Sequence, residues 1–202
     1  MSRLVTFGWR LTQSQYLESS DPKSTYYSKL AWPYILADKL NLECYNAGIN
    51  GSSAKKIWHT IANFKFQKDD LVVILWRHKN RWCIIENEKK TVNFNPAMVD
   101  IRELTKNFYS HFYNEYDIME MYSLFVDHSL RIIADKGLKV YNLKASDLEY
   151  DLKYSNISFL KTDMKKIRKE YPLALDNHHP GKEAHAEFAR QLYNEILDLE
   201  NT

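Results

Sequence analysis

The sequence predicts a three-layer α/β domain with a mostly parallel sheet. Strand-length apolar runs alternate along it with segments of helical periodicity, the pattern of strands joined by crossover helices. One run, Leu71-Val72-Val73-Ile74-Leu75-Trp76, is unbroken, as in a parallel strand covered on both faces. No repeat, low-complexity tract or Pro/Gly linker divides the 202 residues, so 1–202 is read as a single domain. At 45% hydrophobic, with only 5 Gly and 5 Pro, it can bury a sizeable core.

Leu4 to Phe7 reads as the first strand, stopped by Gly8. Residues 9–27 are polar, rich in Ser, Gln and Tyr, and are expected to form a loop long enough to act as a lid. Ser28 to Leu40 has Leu30, Tyr34, Ile35, Ala37 and Leu40 at helical spacing, and Pro33 fits its first turn. Leu42 to Ala47 is the second strand, ending in the tight turn Asn46-Ala47-Gly48-Ile49-Asn50-Gly51. Ser52 or Ser53 then caps a helix with an apolar face of Ile57, Trp58, Ile61, Ala62 and Phe64. Beyond the third strand, Trp82 to Ile85 and Thr91 to Phe94 flank a polar stretch and predict a small hairpin insertion. Pro96 to Lys136 reads as two helices broken near Tyr116-Asp117. Its tyrosine-rich part, 108–122, suits a core face and a self-association surface equally. Gly137 introduces the fourth strand, Leu138 to Leu143; 144–160 reads as irregular, 162–170 as a short helix and 181–199 as the closing helix.

A net charge of +2 argues against a general nucleic-acid or membrane binder, so any basic site must be local. No segment approaches the ~20 apolar residues of a membrane span, and the N-terminal apolar run is too short for a secretory signal. The two cysteines, Cys44 and Cys83, lie in apolar strand-like runs and read as buried free thiols. Cytoplasmic residence is the expectation.

Ligands of open parallel sheets bind beyond the carboxyl ends of the strands. Four segments should meet there: the loop after Phe7, the turn at Gly51, the loop after Trp76, and Leu175-Asp176-Asn177-His178-His179-Pro180. Asp176, three residues before His179, can reach the imidazole and fix its tautomer, which makes half of a hydrolytic triad.

The Phe7-Gly8 strand end, Asn46-x-Gly48-x-x-Gly51-Ser52, Val72 to Trp76 and Asp176-x-x-His179-Pro180 together resemble the SGNH/GDSL hydrolases from residue 4 to 197. The resemblance implies a flavodoxin-like sheet and ester or acetyl-ester hydrolysis by a serine, on a small-molecule or carbohydrate ester, with no metal or organic cofactor. It gives Gly51 the role of oxyanion-hole glycine, Asp176 that of orienter and His179 that of general base. Two positions depart from the family pattern. Gly8-Trp9-Arg10 puts Arg10 at the nucleophile position, and Trp76-Arg77-His78 puts His78 where an asparagine would donate to the oxyanion. An imidazole can donate one hydrogen bond, but a guanidinium has no lone pair for attack.

Three readings of the site follow. His179 can activate water while Arg10 and His78 stabilise the anionic transition state. A neighbouring hydroxyl, Thr12 or Ser14, can replace the serine. Or the protein is a pseudoenzyme, and Arg10 with Arg77, Lys79 and Arg81 holds an anionic sugar, nucleotide or nucleic acid strand, with Trp9, Trp76 or Trp82 stacking on a base or sugar. Competing structural roles are an Arg10–Asp176 salt bridge and a solvated 77–81 loop. His178, His179 and His185 lack the closed ligand set of a zinc site.

Overall fold

A computed structural model of the chain describes residues 2–14, 16–18, 27–87, 90–144 and 157–201. Its centre is a sheet of parallel strands β1 (Arg3–Gly8), β2 (Glu43–Gly48), β3 (Leu71–Trp76) and β6 (Lys139–Lys144) in the order β2-β1-β3-β6. β4 (Trp82–Ile85) and β5 (Thr91–Phe94) form a separate antiparallel hairpin, with Trp82 opposite Phe94. All the strands, the hairpin included, fall where the hydrophobic pattern puts them.

Alternation along the central strands builds two cores. Leu4, Val73, Leu75 and Leu143 point to one face, against Trp32 and Leu36 of α2 (Trp32–Lys39) and Phe188, Leu192 and Ile196 of α7 (Lys182–Glu200). Val5, Phe7, Val72, Ile74 and Trp76 point to the other, against Ile57 and Ile61 of α3 (Ala54–Ala62) and Tyr122, Val126 and Ile133 of α5 (Glu115–Ala134). β1 and β3 are covered on both faces, which explains their uninterrupted apolar sequence. At their base the Arg3 guanidinium grips the buried Asp70 carboxylate through two hydrogen bonds of 2.9 and 2.7 Å.

Several sequence expectations are corrected in detail. The stretch after Gly8 is not a polar loop from the outset: α1 (Arg10–Gln13) forms there, with Leu11, Thr12 and Gln13 buried. The remainder of that loop contains residues 15 and 19–26, which lie outside the described residues, as do 145–156 of the segment read as irregular. The break ahead of α5 falls at Asn114, whose side chain accepts the N–H groups of Tyr116 (2.9 Å) and Asp117 (3.1 Å). The short helices α4 (Glu103–Asn107) and α6 (Met164–Ile167) complete the layer elements, and α4 runs on into one π turn at Phe108–Phe112. Ser53 caps α3, accepting from the Lys56 N–H at 3.3 Å. On that helix Trp58 is only half-buried and Ala62 is exposed. Cys83 is buried but Cys44 only partly so. Among the described residues no helix is long and apolar enough to cross a membrane.

Candidate functional site

The dyad loop lies between α6 and α7 and is braced by its own backbone. Ala174 N–H donates to His179 O at 2.8 Å, Gly181 N–H to Pro172 O at 3.1 Å, and Leu175 N–H to Tyr16 O at 3.3 Å. Within this frame Asp176 Oδ1 accepts the N–H groups of both His178 and His179 at 3.0 Å, and Oδ2 meets His179 Nδ1. Burial works to raise the Asp176 pKa, but these hydrogen bonds outweigh it and hold the carboxyl below its usual value. His179 is pushed down by burial and by the nearby Arg10 and Arg168, against the opposing pull of Asp176. At neutral pH its ring is uncharged. The Tyr16 ring stacks on it at 5.1 Å and 20°. His179 Nε2 is buried and has no hydrogen-bond partner among the described residues.

The loop that would carry a nucleophile is held by glycines. A Cβ on Gly8 would lie 2.2 Å from Thr12 Oγ1, and one on Gly48 would lie 2.5 Å from the Gln13 backbone nitrogen, so only glycine lets α1 sit this close. Asn46 reinforces the seat, donating to Thr12 O at 2.7 Å and accepting from Gly48 N–H at 2.9 Å. Arg10 starts this helix, partly buried, and its Nε has no hydrogen-bond partner among the described residues. No ion pair joins it to Asp176 among the described residues, although Asp176 acts on its charge from a distance. The alternative hydroxyls are placed elsewhere. Thr12 is fully buried with its Oγ1 against Gly8, and Ser14 Oγ donates to the carbonyls of Leu11 (3.3 Å) and Thr12 (3.4 Å).

The cations expected to converge do so only in part. Arg81 is partly buried and feels Arg10; burial and then that neighbour lower its pKa to about 10, so it remains charged at neutral pH. Arg168, which sequence reasoning did not single out, acts on both Arg10 and His179. Arg77 is buried with its guanidinium 3.3 Å from the Trp9 ring centre. Trp9 is therefore corrected from a ligand-stacking surface to a core residue: it is 6% exposed, and the Arg10 guanidinium also lies 5.3 Å from its ring. Lys79 leaves the group as well, because its ammonium pairs with Glu115 at 2.7 Å. His78 is partly buried, and burial followed by Arg77, Arg81 and Lys165 lowers its pKa to about 4, leaving a neutral imidazole.

Gly51 adopts φ +76°, the left-handed conformation that its turn requires. Over it lies Asn93 of β5, with Nδ2 3.3 Å from where a Gly51 Cβ would be. Neither Asn93 nor Tyr16 carries a sequence signal, since each reaches the site from a segment distant in the chain. Among the described residues no group of three or more His, Cys, Asp or Glu side chains is placed to hold a metal ion.

The whole fold resembles several solved structures. A protein assigned to the lipolytic G-D-S-L family from Desulfitobacterium hafniense DCB-2 matches with a TM-score of 0.57 at 12% identity, over 96% of this chain and 98% of that one. A family two carbohydrate esterase from Cellvibrio japonicus matches with a TM-score of 0.53 at 13% identity, over 100% of this chain and 62% of that one. A protein assigned as a GDSL-like lipase from Parabacteroides merdae ATCC 43184 gives 0.50 at 13% identity, over 96% and 94%. The fold is SGNH/GDSL hydrolase-like. No protein-family model and no curated protein matches the sequence.

Proposed function

We propose that this SGNH hydrolase-like protein holds an anionic ligand where related folds carry an ester-cleaving serine. The observation that carries the reading is the state of Arg10, the residue that the family resemblance sets at the nucleophile position: it is partly buried, with an Nε that bonds to nothing among the described residues. A buried donor left unmade costs about 1–3 kcal/mol, and more for a charged group, so the position favours a ligand that accepts from it. Arg81 and Arg168 add positive charge around Arg10, and Asp176, already engaged by His178 and His179, offsets only part of it. Phosphate, sulfate or carboxylate groups match a guanidinium in charge and in hydrogen-bond geometry.

A second reading keeps the catalytic dyad at work. His179, neutral and with an Nε2 that has no partner among the described residues, can take a proton from water and hydrolyse an ester without a covalent intermediate. One experiment separates the two: calorimetric titration with sulfate, beside hydrolysis of p-nitrophenyl acetate, for the native chain, Arg10→Ala and Arg10→Ser. The binding reading expects sulfate binding that Arg10→Ala weakens at least tenfold, an inert native chain, and turnover gained in Arg10→Ser. Turnover by the native chain that His179→Ala abolishes, without sulfate binding, would establish the water-activating reading instead.

A further inference from the structure

Beside Gly51 lies a polar cavity of about 330 Å³, lined by Ile49, Asn50, Ser52, Lys56, Thr91 and Asn93. Two of the lining residues, Thr91 and Asn93, come from β5 of the hairpin. The cavity is tied to α1 through one hydrogen bond: Asn50 N–H donates to Gln13 Oε1 at 2.8 Å. Gln13 ends the helix that Arg10 begins, and four helical residues advance only about 5 Å along the axis. Gln13 thus links the cavity's Asn50 to the helix on which Arg10 stands.

The lining chemistry selects what that group is. Among the described residues the lining carries two carboxamides, two hydroxyls and an ammonium beside one aliphatic side chain, with the Ser52 hydroxyl already donating to Ile49 O at 2.8 Å. This suits neither an acyl chain nor a flat base. It suits a ring carrying several hydroxyls, each of which donates once and accepts twice. Asn93 supplies the sharpest feature: its Oδ1 is buried with no hydrogen-bond partner among the described residues. Asn93 lines the cavity, and a ligand hydroxyl is a donor of the kind this oxygen lacks.

We infer that this cavity is the second lobe of the ligand site, taking the hydroxyl-bearing ring of an anionic sugar, and that Asn93 is its specificity-determining residue. The inference rests on the anion-binding reading of Arg10. The test compares inorganic phosphate with the 6-phosphates of glucose, mannose and galactose by calorimetry, in the native chain, Asn93→Leu and Thr91→Val. Inorganic phosphate is the internal reference for each variant.

The expected result is at least one hexose phosphate binding about tenfold more tightly than phosphate. That advantage falls at least fivefold in Asn93→Leu and by a smaller factor in Thr91→Val. Phosphate binding with no advantage for any sugar, or an advantage that both substitutions leave intact, overturns the inference and leaves the anion site standing. Failure of the native chain to bind phosphate or any sugar phosphate removes both.

Discussion

The Arg77 guanidinium lies 3.3 Å from the centre of the Trp9 ring, so the side chain just beyond β1 is covered by a cation from the exit of β3. Both residues are buried, and a desolvated cation–π contact is worth about 2 kcal/mol or more. Replacing Trp9 by leucine removes the ring under a buried charge. The expected cost is about 2–4 kcal/mol in urea unfolding, with Trp9→Phe costing less than half as much. Equal costs for the two would mean that the aromatic face contributes nothing.

Sulfate affinity should rise as pH falls below 6.5. Burial, Arg10 and Arg168 lower the His179 pKa against the pull of Asp176, so the ring is neutral at pH 7 and gains charge only in acid. A bound anion favours the charged ring, so binding strengthens as pH falls through the His179 pKa. Sulfate keeps its own charge over this range. Titration of the native chain between pH 8 and 5 should show the rise, and His179→Ala should flatten it.

His185 sets an acid limit on stability. It is buried, accepts the Trp32 N–H on Nδ1 at 3.3 Å, and is lowered by burial from 6.5 to about 3. The unfolded chain takes up the proton first as pH falls. Stability from this group is thus full above pH 6.5 and drains away between 6.5 and 3. The thermal midpoint of the native chain should fall across that window, and less steeply in His185→Gln, which keeps an acceptor but does not titrate.

Arg3 supports the buried Asp70 carboxylate, which also accepts the Gln67 N–H at 2.7 Å. Arg3→Met leaves that carboxylate without its cation, and breaking a buried pair in this way costs about 3–5 kcal/mol. Chemical denaturation of the variant measures it. A loss under 1 kcal/mol would mean that the pair behaves like an exposed one.

Gly48→Ala drives a methyl to within 2.5 Å of the Gln13 backbone nitrogen. Overpacking of this kind costs about 1–3 kcal/mol, and because α1 must move, sulfate affinity should drop together with stability. An alanine variant with native affinity would show that the seat of α1 does not govern the site.

What could be read in the sequence is what is encoded locally. Asp176 and His179 are three residues apart, so their pairing needs only a turn, and it is present. The unbroken run of β3 and the alternating hairpin strands have periods that decide their class. α1 is hidden in the sequence because its polar residues are buried by two glycines, one of them 35 residues beyond the helix's end in another strand. Trp9 looked free because nothing near it in sequence announces that Arg77 will cover it. Lys79 looked available until α5 brought Glu115 alongside. Tyr16, Asn93 and Arg168 gain their places only through tertiary approach, which no local spacing records.

The seat of α1 is defined by main chain packed on Gly8 and Gly48, with Asn46 bonded to the helix's carbonyl end. None of these contacts involves the side chain at position 10. The address of residue 10 is therefore specified separately from its identity. Any side chain placed there inherits the same seat, and the architecture does not register the exchange.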